Sequence, residues 1–145
     1  MFVVIGARQK GKTHRLLRQL GRIVQPGETV RYVNRTGAKQ DNFPELHSLA
    51  RHNDFTYQLE HNTSASVTLF PTSHDQVPDY LVIDSVEKNE PAALQKLLVL
   101  LVGLEEELGV KILVAIQSGM DASHYQRVTG ESLVSVSNHQ FIWLN

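Results

Sequence analysis

The chain has 145 residues, of which 41% are hydrophobic and 20% are charged, and its formal net charge at pH 7 is −1. These values are typical of one globular domain, and the net charge does not by itself indicate nucleic-acid binding. Because the chain has no cysteine, disulfides, thiolate zinc sites and thiol nucleophiles are excluded. No segment reaches the length of a membrane span and no signal peptide precedes the first apolar run, so we expect one cytoplasmic domain, residues 1–145, with no membrane partner.

The first 24 residues contain a phosphate-binding motif between a strand and a helix. Phe2–Ile5 is an apolar run typical of a buried strand, and apolar residues recur at helical spacing over Lys12–Val24. The glycines of the loop between them permit a tight turn whose N–H groups point at an anion. The motif predicts that Lys12 binds the phosphates of ATP and that Thr13 binds Mg²⁺. The loop has the pattern G-x-x-x-x-G-K-T and consists of Gly6, Ala7, Arg8, Gln9, Lys10, Gly11, Lys12 and Thr13, with His14 directly after it.

The next segment is predicted to add strands and one short helix. Its pattern predicts a strand over Thr29–Asn34 and a helix over Pro44–Asn53, followed by two short strands on either side of a turn at residues 61–64. Several histidines fall here, but their irregular spacing does not favour a metal site.

A second nucleotide-site motif is predicted at Asp79–Asp84, an apolar strand that ends in a carboxylate. Downstream of a G-x-x-x-x-G-K-T loop, this strand fits a Walker B motif. We therefore assign Asp84 as the second protein ligand of Mg²⁺.

The C-terminal part is predicted to contain a long helix and three strands. The helix runs from Glu90 to Leu108, and its apolar arc of about 200° is wider than packing on a sheet requires. Two interpretations stay open: the part of this arc that does not face the sheet is covered by residues 35–66, or it is covered by a second protein surface. A buried strand, Lys111–Ile116, is followed by Gln117. The last two strands, which we expect to pair as a hairpin at the sheet edge, are Leu133–Val136 and Gln140–Leu144.

This alternation of strands and helices predicts a three-layer α-β-α fold of the P-loop NTPase type. We expect a mainly parallel sheet with antiparallel strands at its C-terminal edge, and phosphates at the carboxyl ends of the strands. Basic residues crowd the first 35 positions, and three consecutive glutamates end the long helix. Each charge run is interpreted first as a solvated surface.

The chain resembles the RecA-like ATPases, which include the recombinases, the RadA-type repair ATPases and the DnaB-type replicative helicases. The resemblance implies an ATP hydrolase that acts on DNA, single-stranded DNA above all, or within a DNA-processing complex, and it leaves assembly into a homo-oligomer open. It is carried by the P-loop and by Leu81–Val86, the leucine-rich helix, Gly109–Gln117, Thr129–Leu133 and Phe141–Leu144.

The resemblance also implies roles for two further residues. Gln117 would end a strand lying between the P-loop strand and the Walker B strand and would sense the γ-phosphate, and Arg127 would reach into a neighbouring subunit's site. The family's water-activating glutamate is missing, because Asn34 ends the second strand. Many other P-loop ATPases place a glutamate directly after the Walker B acid, and that position holds Ser85. Glu87 would replace it only if the backbone turned, so we expect hydrolysis to be slow or absent.

Three other functions stay open on the sequence. The loop with its early Arg8 is similar to those of large terminases, which are viral DNA-packaging ATPases, although the acid pair expected at the Walker B strand is missing. A non-catalytic, nucleotide-dependent regulator would explain the missing base. The length suits a small-molecule kinase of the nucleoside type, for which the scattered candidates are Arg35, Asp41, Glu45 and Arg51.

Overall fold

The structure is a computed structural model that describes residues 1–7, 11–34, 43–61, 77–88, 90–118 and 140–144. The predicted bounds of the second strand, the short helix and the last strand agree with the structure. None of the helices in these ranges combines the length and the apolar character needed to cross a bilayer. In chain order the elements are β1 (Phe2–Gly6), α1 (Lys12–Ile23), β2 (Thr29–Asn34), α2 (Pro44–Asn53), β3 (Thr56–His61), β4 (Tyr80–Glu87), α3 (Pro91–Leu108), β5 (Lys111–Gln117) and β6 (Gln140–Leu144).

Six strands form one parallel sheet in the order β3-β2-β4-β5-β1-β6. Side chains that are neighbours in a strand point to opposite faces, so Val82 and Ala115 pack with α1 and α2, whereas Ile83 and Val114 pack with α3. Helices therefore cover both faces of the sheet, as the sequence predicts. β5 lies between β1 and β4, which is the strand order that the resemblance implies.

The last strand corrects one part of the predicted fold. We expected antiparallel strands at the C-terminal edge, but β6 pairs in parallel with β1, from Phe2 opposite Gln140 to Gly6 opposite Leu144. A tight turn joins antiparallel neighbours, whereas a parallel partner is reached through a crossover of about a dozen residues or more, which residues 118–139 are long enough to provide. The other strand of the expected hairpin, residues 133–136, lies outside the described residues.

The helix α3 buries one side and exposes the other in the described structure. Leu94, Leu98 and Leu101 are fully buried, whereas Val99 and Leu100 are 56% and 54% exposed. Because α2 packs with α1 on the opposite face of the sheet, the described part of residues 35–66 does not cover α3. The interpretation that residues 35–66 cover the outer apolar side of α3 is therefore wrong for α2. Contact of α3 with a second protein surface stays a prediction.

Candidate functional site

The predicted site residues meet at the carboxyl ends of β1, β2, β4 and β5. Gly6 ends β1 and Gln117 ends β5, and the two are partners in the parallel register. Asn34 at the end of β2 is the register partner of Asp84 in β4. This edge of an open parallel sheet is where α/β proteins bind ligands.

The helix α1 begins directly at this edge. Gly11 precedes it with a φ of +76°, a left-handed conformation that favours glycine. Gly11 has no side chain and therefore forms no capping hydrogen bond with the first N–H groups of α1. N–H groups at such a helix start can bind an anion. Of the remaining loop, Ala7 follows β1, and Arg8, Gln9 and Lys10 lie outside the described residues.

Lys12 is a buried cation at the start of α1. It is 7% exposed, and its ammonium donates a hydrogen bond to the carbonyl oxygen of Ala7. An ammonium has three N–H donors, and within the described ranges this carbonyl is the one acceptor that Lys12 contacts. Burial lowers the pKa of Lys12, and the negative charge of Asp84 acts in the opposite direction. A buried cation next to a helix N-terminus, with further donors that meet no acceptor among the described residues, suits an anionic ligand.

Asp84 connects α1, β2 and β4 through one carboxylate oxygen. The hydroxyls of Thr13 and Tyr32 each donate a hydrogen bond to Oδ2 of Asp84 at 2.7 Å. Asp84 is 1% exposed, and this burial raises its pKa, although the two hydrogen bonds and the charge of Lys12 lower it in part. Burial and the charge of Asp84 place the pKa of Tyr32 well above its usual value, so its hydroxyl stays a donor at neutral pH.

A β-bulge follows Asp84 directly. The register of β4 against β5 shifts within Ile83–Val86, which leaves one extra residue on β4. Ser85 adopts a φ of +72°, unusual for a residue with a side chain, and its Oγ lies 3.5 Å from Oε1 of Gln117. The strand therefore continues past its predicted end at Asp84 to Glu87, which is exposed.

A cavity of about 410 Å³ opens beside Thr13, between α1 and the start of α2. Its size is within the range of small-molecule sites, which is about 300–1,000 Å³. Apolar side chains and a few polar groups share its wall, a composition that suits an organic ligand. The lining residues are Gly11, Thr13, His14, Leu17, Asn34, Phe43 and Glu45.

No protein-family model matches this chain, and a search of curated proteins finds no relative. Across the described part of the chain, no three side chains of the His, Cys, Asp or Glu types lie close enough together to hold a metal ion. What this site binds is therefore inferred from its own residues.

The structure brings most of the predicted site residues to one edge, but it adds two that the sequence did not single out. Tyr32 was missed although it lies two positions before Asn34, on the same side of β2, so strand alternation could have indicated it. Phe43 was missed because its place in the cavity depends on how α2 packs. His14 is exposed at the cavity, and Arg127 lies outside the described residues.

Proposed function

We propose that this chain binds ATP with Mg²⁺ at the carboxyl edge of its sheet and hydrolyses it as a minimal RecA-like ATPase. The observation that carries the proposal is the 2.7 Å hydrogen bond between Thr13 and Asp84, which are 71 positions apart, beside the buried Lys12. The placement of β5 between β1 and β4 supports the RecA-like class, because the resemblance implies that order.

The residues of the site fit a magnesium nucleotide. The ammonium of Lys12 and the N-terminus of α1 would hold the phosphates. Thr13 and Asp84 offer a hydroxyl and a carboxylate oxygen, and Mg²⁺ in phosphate sites is bound by one or two such protein groups together with phosphates and water. When bound, Mg²⁺ would neutralise the charge that develops on the phosphates.

Two further residues would respond to the nucleotide. Gln117 ends β5 beside Gly6 and lies next to Ser85, so we propose that its amide senses the γ-phosphate. Arg127 is proposed to act on a neighbouring subunit's site in a homo-oligomer. Because Asn34 and Ser85 supply no carboxylate to accept a proton from water, we expect slow turnover.

Steady-state ATP hydrolysis tests this function when it is measured with and without single-stranded DNA, double-stranded DNA and RNA. The mass of the assembled species is measured in parallel. We expect slow, Mg²⁺-dependent hydrolysis that single-stranded DNA stimulates most, and its loss in Lys12→Ala. Hydrolysis that survives Lys12→Ala at full rate would contradict the proposal.

The cavity beside Thr13 favours one second function, phosphoryl transfer to a small hydroxyl compound. Its volume is far above the roughly 30 Å³ that one water occupies, and Glu45 places a carboxylate at its wall that could accept the hydroxyl proton. Incubation with ATP and a panel of nucleosides would then yield a phosphorylated nucleoside. A panel that yields only inorganic phosphate removes this function.

A further inference from the structure

The outer surface formed by α1 and α2 is basic. We define this α1–α2 surface by six exposed side chains. Helix α1 contains one lysine, three arginines, one histidine and no acidic residue, whereas α3, on the other side of the sheet, contains one lysine and three glutamates. The six residues of the surface are His14, Arg18, Arg22, His47, Arg51 and His52.

Three exposed basic residues of α1 form a line along the helix. His14, Arg18 and Arg22 are spaced four positions apart, so they lie on one side of α1 with a rise of about 6 Å between successive residues. The two helices pack side by side at Gly21, where an added Cβ would lie 2.9 Å from Cδ1 of Leu49. This close packing sets α1 and α2 side by side on one face of the sheet.

The arginines of this surface are available to a partner. Within the described residues, Arg18, Arg22 and Arg51 form no ion pair, whereas Arg31 pairs with Glu60 elsewhere in the sheet. Helix α2 carries one exposed acid, Glu45, whereas the three glutamates of α3 lie on the other face of the sheet. A polyanion approaching the protein is therefore attracted to one face.

We propose that the α1–α2 surface binds the phosphate backbone of a nucleic acid. The guanidinium group of arginine presents several donors in a planar fork that matches phosphate oxygens. Helices that bind anionic membranes commonly combine basic residues with an apolar face, but among the described residues the exposed large apolar side chains, Val99 and Leu100, belong to α3. The inference rests on the nucleic-acid partner of the proposed function and gives that partner a location.

Fluorescence anisotropy with labelled single-stranded and double-stranded oligonucleotides, without nucleotide and over a series of salt concentrations, tests the inference. We expect Arg18→Glu with Arg22→Glu to weaken binding by about tenfold or more and to reduce the slope of log K against log salt by about 1 per arginine. Lys96→Glu on α3 makes the same change of charge per site and should alter binding less than about twofold. Lysine in place of both arginines should retain most of the affinity.

Several results would overturn the inference. The first is that Arg22→Glu and Lys96→Glu weaken oligonucleotide binding equally. The second is that the natural chain binds neither oligonucleotide, and the third is that it binds vesicles of anionic lipid more tightly than DNA. Thermal melting and Mg·ATP affinity, measured on the same variants, exclude misfolding as the cause. Failure of Mg·ATP binding in the natural chain would contradict the proposed ATPase and leave this surface intact, whereas unchanged DNA binding in the double variant would contradict the surface alone.

Discussion

Asp84 places a carboxyl group in the interior of the protein, where it is 1% exposed. Burial raises its pKa in the folded state, and the hydrogen bonds from Thr13 and Tyr32 offset only part of this effect. The unfolded chain therefore releases this proton more readily, and ionised Asp84 lowers the free energy of unfolding at neutral pH. This destabilisation disappears as the pH falls from above the pKa of Asp84 in the folded state to below its pKa in the unfolded state. Ligand sites commonly retain such destabilising charges because binding requires them.

We predict that Asp84→Asn stabilises the protein at pH 7 and removes Mg²⁺-dependent nucleotide binding. The free energy of unfolding should rise by about 1 kcal/mol and Tm by about 3 °C, because the amide carries no charge. Thermal unfolding between pH 7 and pH 4 checks the sign. The gain should shrink on acidification, since natural Asp84 then takes up its proton, and a gain that grows with acid would contradict this explanation.

The backbone of Ser85 gives a second prediction for a single residue. A β-branched side chain is strongly disfavoured at a φ of +72°, so Ser85→Val should reduce the free energy of unfolding by about 2 kcal/mol, whereas Ser85→Gly should be tolerated. Urea unfolding of both variants provides the measurement. If valine were tolerated as well as glycine, the bulge next to Asp84 would not have the described conformation.

At the scale of elements, the parallel packing of β6 on β1 depends on a close contact at Gly6. A Cβ on Gly6 would lie 2.9 Å from the carbonyl oxygen of Leu144, a backbone atom that cannot move without shifting β6. We predict that Gly6→Ala lowers the free energy of unfolding by about 1–3 kcal/mol.

The matched control for Gly6→Ala is Gly103→Ala in α3, where nothing lies within 4 Å of an added Cβ. Alanine is favoured over glycine inside a helix, so this variant should gain about 0.5–1 kcal/mol. Denaturant unfolding compares the two variants. Similar effects of both substitutions would show that β6 does not approach Gly6 as described.

The existence of the elements followed from local pattern, but their pairing did not. Apolar runs and flanking glycines or prolines placed β2, α2 and β6 at their observed residues. The direction of β6 was predicted wrongly, because two neighbouring apolar runs are a local signal for a hairpin, while the choice of partner depends on the whole crossover. Periodicity shows that a segment is a strand, and it does not show which strand lies beside it.

At the scale of the whole molecule, the candidate site was predictable where it follows a motif and unpredictable where it depends on packing. Lys12 and Thr13 belong to a local pattern, and Asp84 follows from its place after a buried strand. The hydrogen bond between Tyr32 and Asp84 spans 52 positions and depends on the register of β2 against β4. The cavity beside Thr13 depends in the same way on where α2 packs.

Nucleotide binding should stabilise the whole chain, because the site joins three elements that are separate in the unfolded state. A ligand present at about 100 times its Kd adds about 2.7 kcal/mol to the free energy of unfolding. We predict that Mg²⁺ with a non-hydrolysable ATP analogue raises Tm by several degrees and that the analogue without Mg²⁺ raises it less. An equal shift with and without the metal would contradict the pairing of Thr13 with Asp84 as a magnesium site.

Calorimetric titration of the Mg²⁺-bound analogue into the natural chain and into Lys12→Ala tests the central claim most directly, with Lys96→Ala on α3 as the matched lysine control. The natural chain and Lys96→Ala should bind one nucleotide per chain with equal affinity, and Lys12→Ala should bind at least about tenfold more weakly, a loss of about 1.4 kcal/mol. No binding by the natural chain, or equal affinity in Lys12→Ala, would contradict a phosphate site at the start of α1.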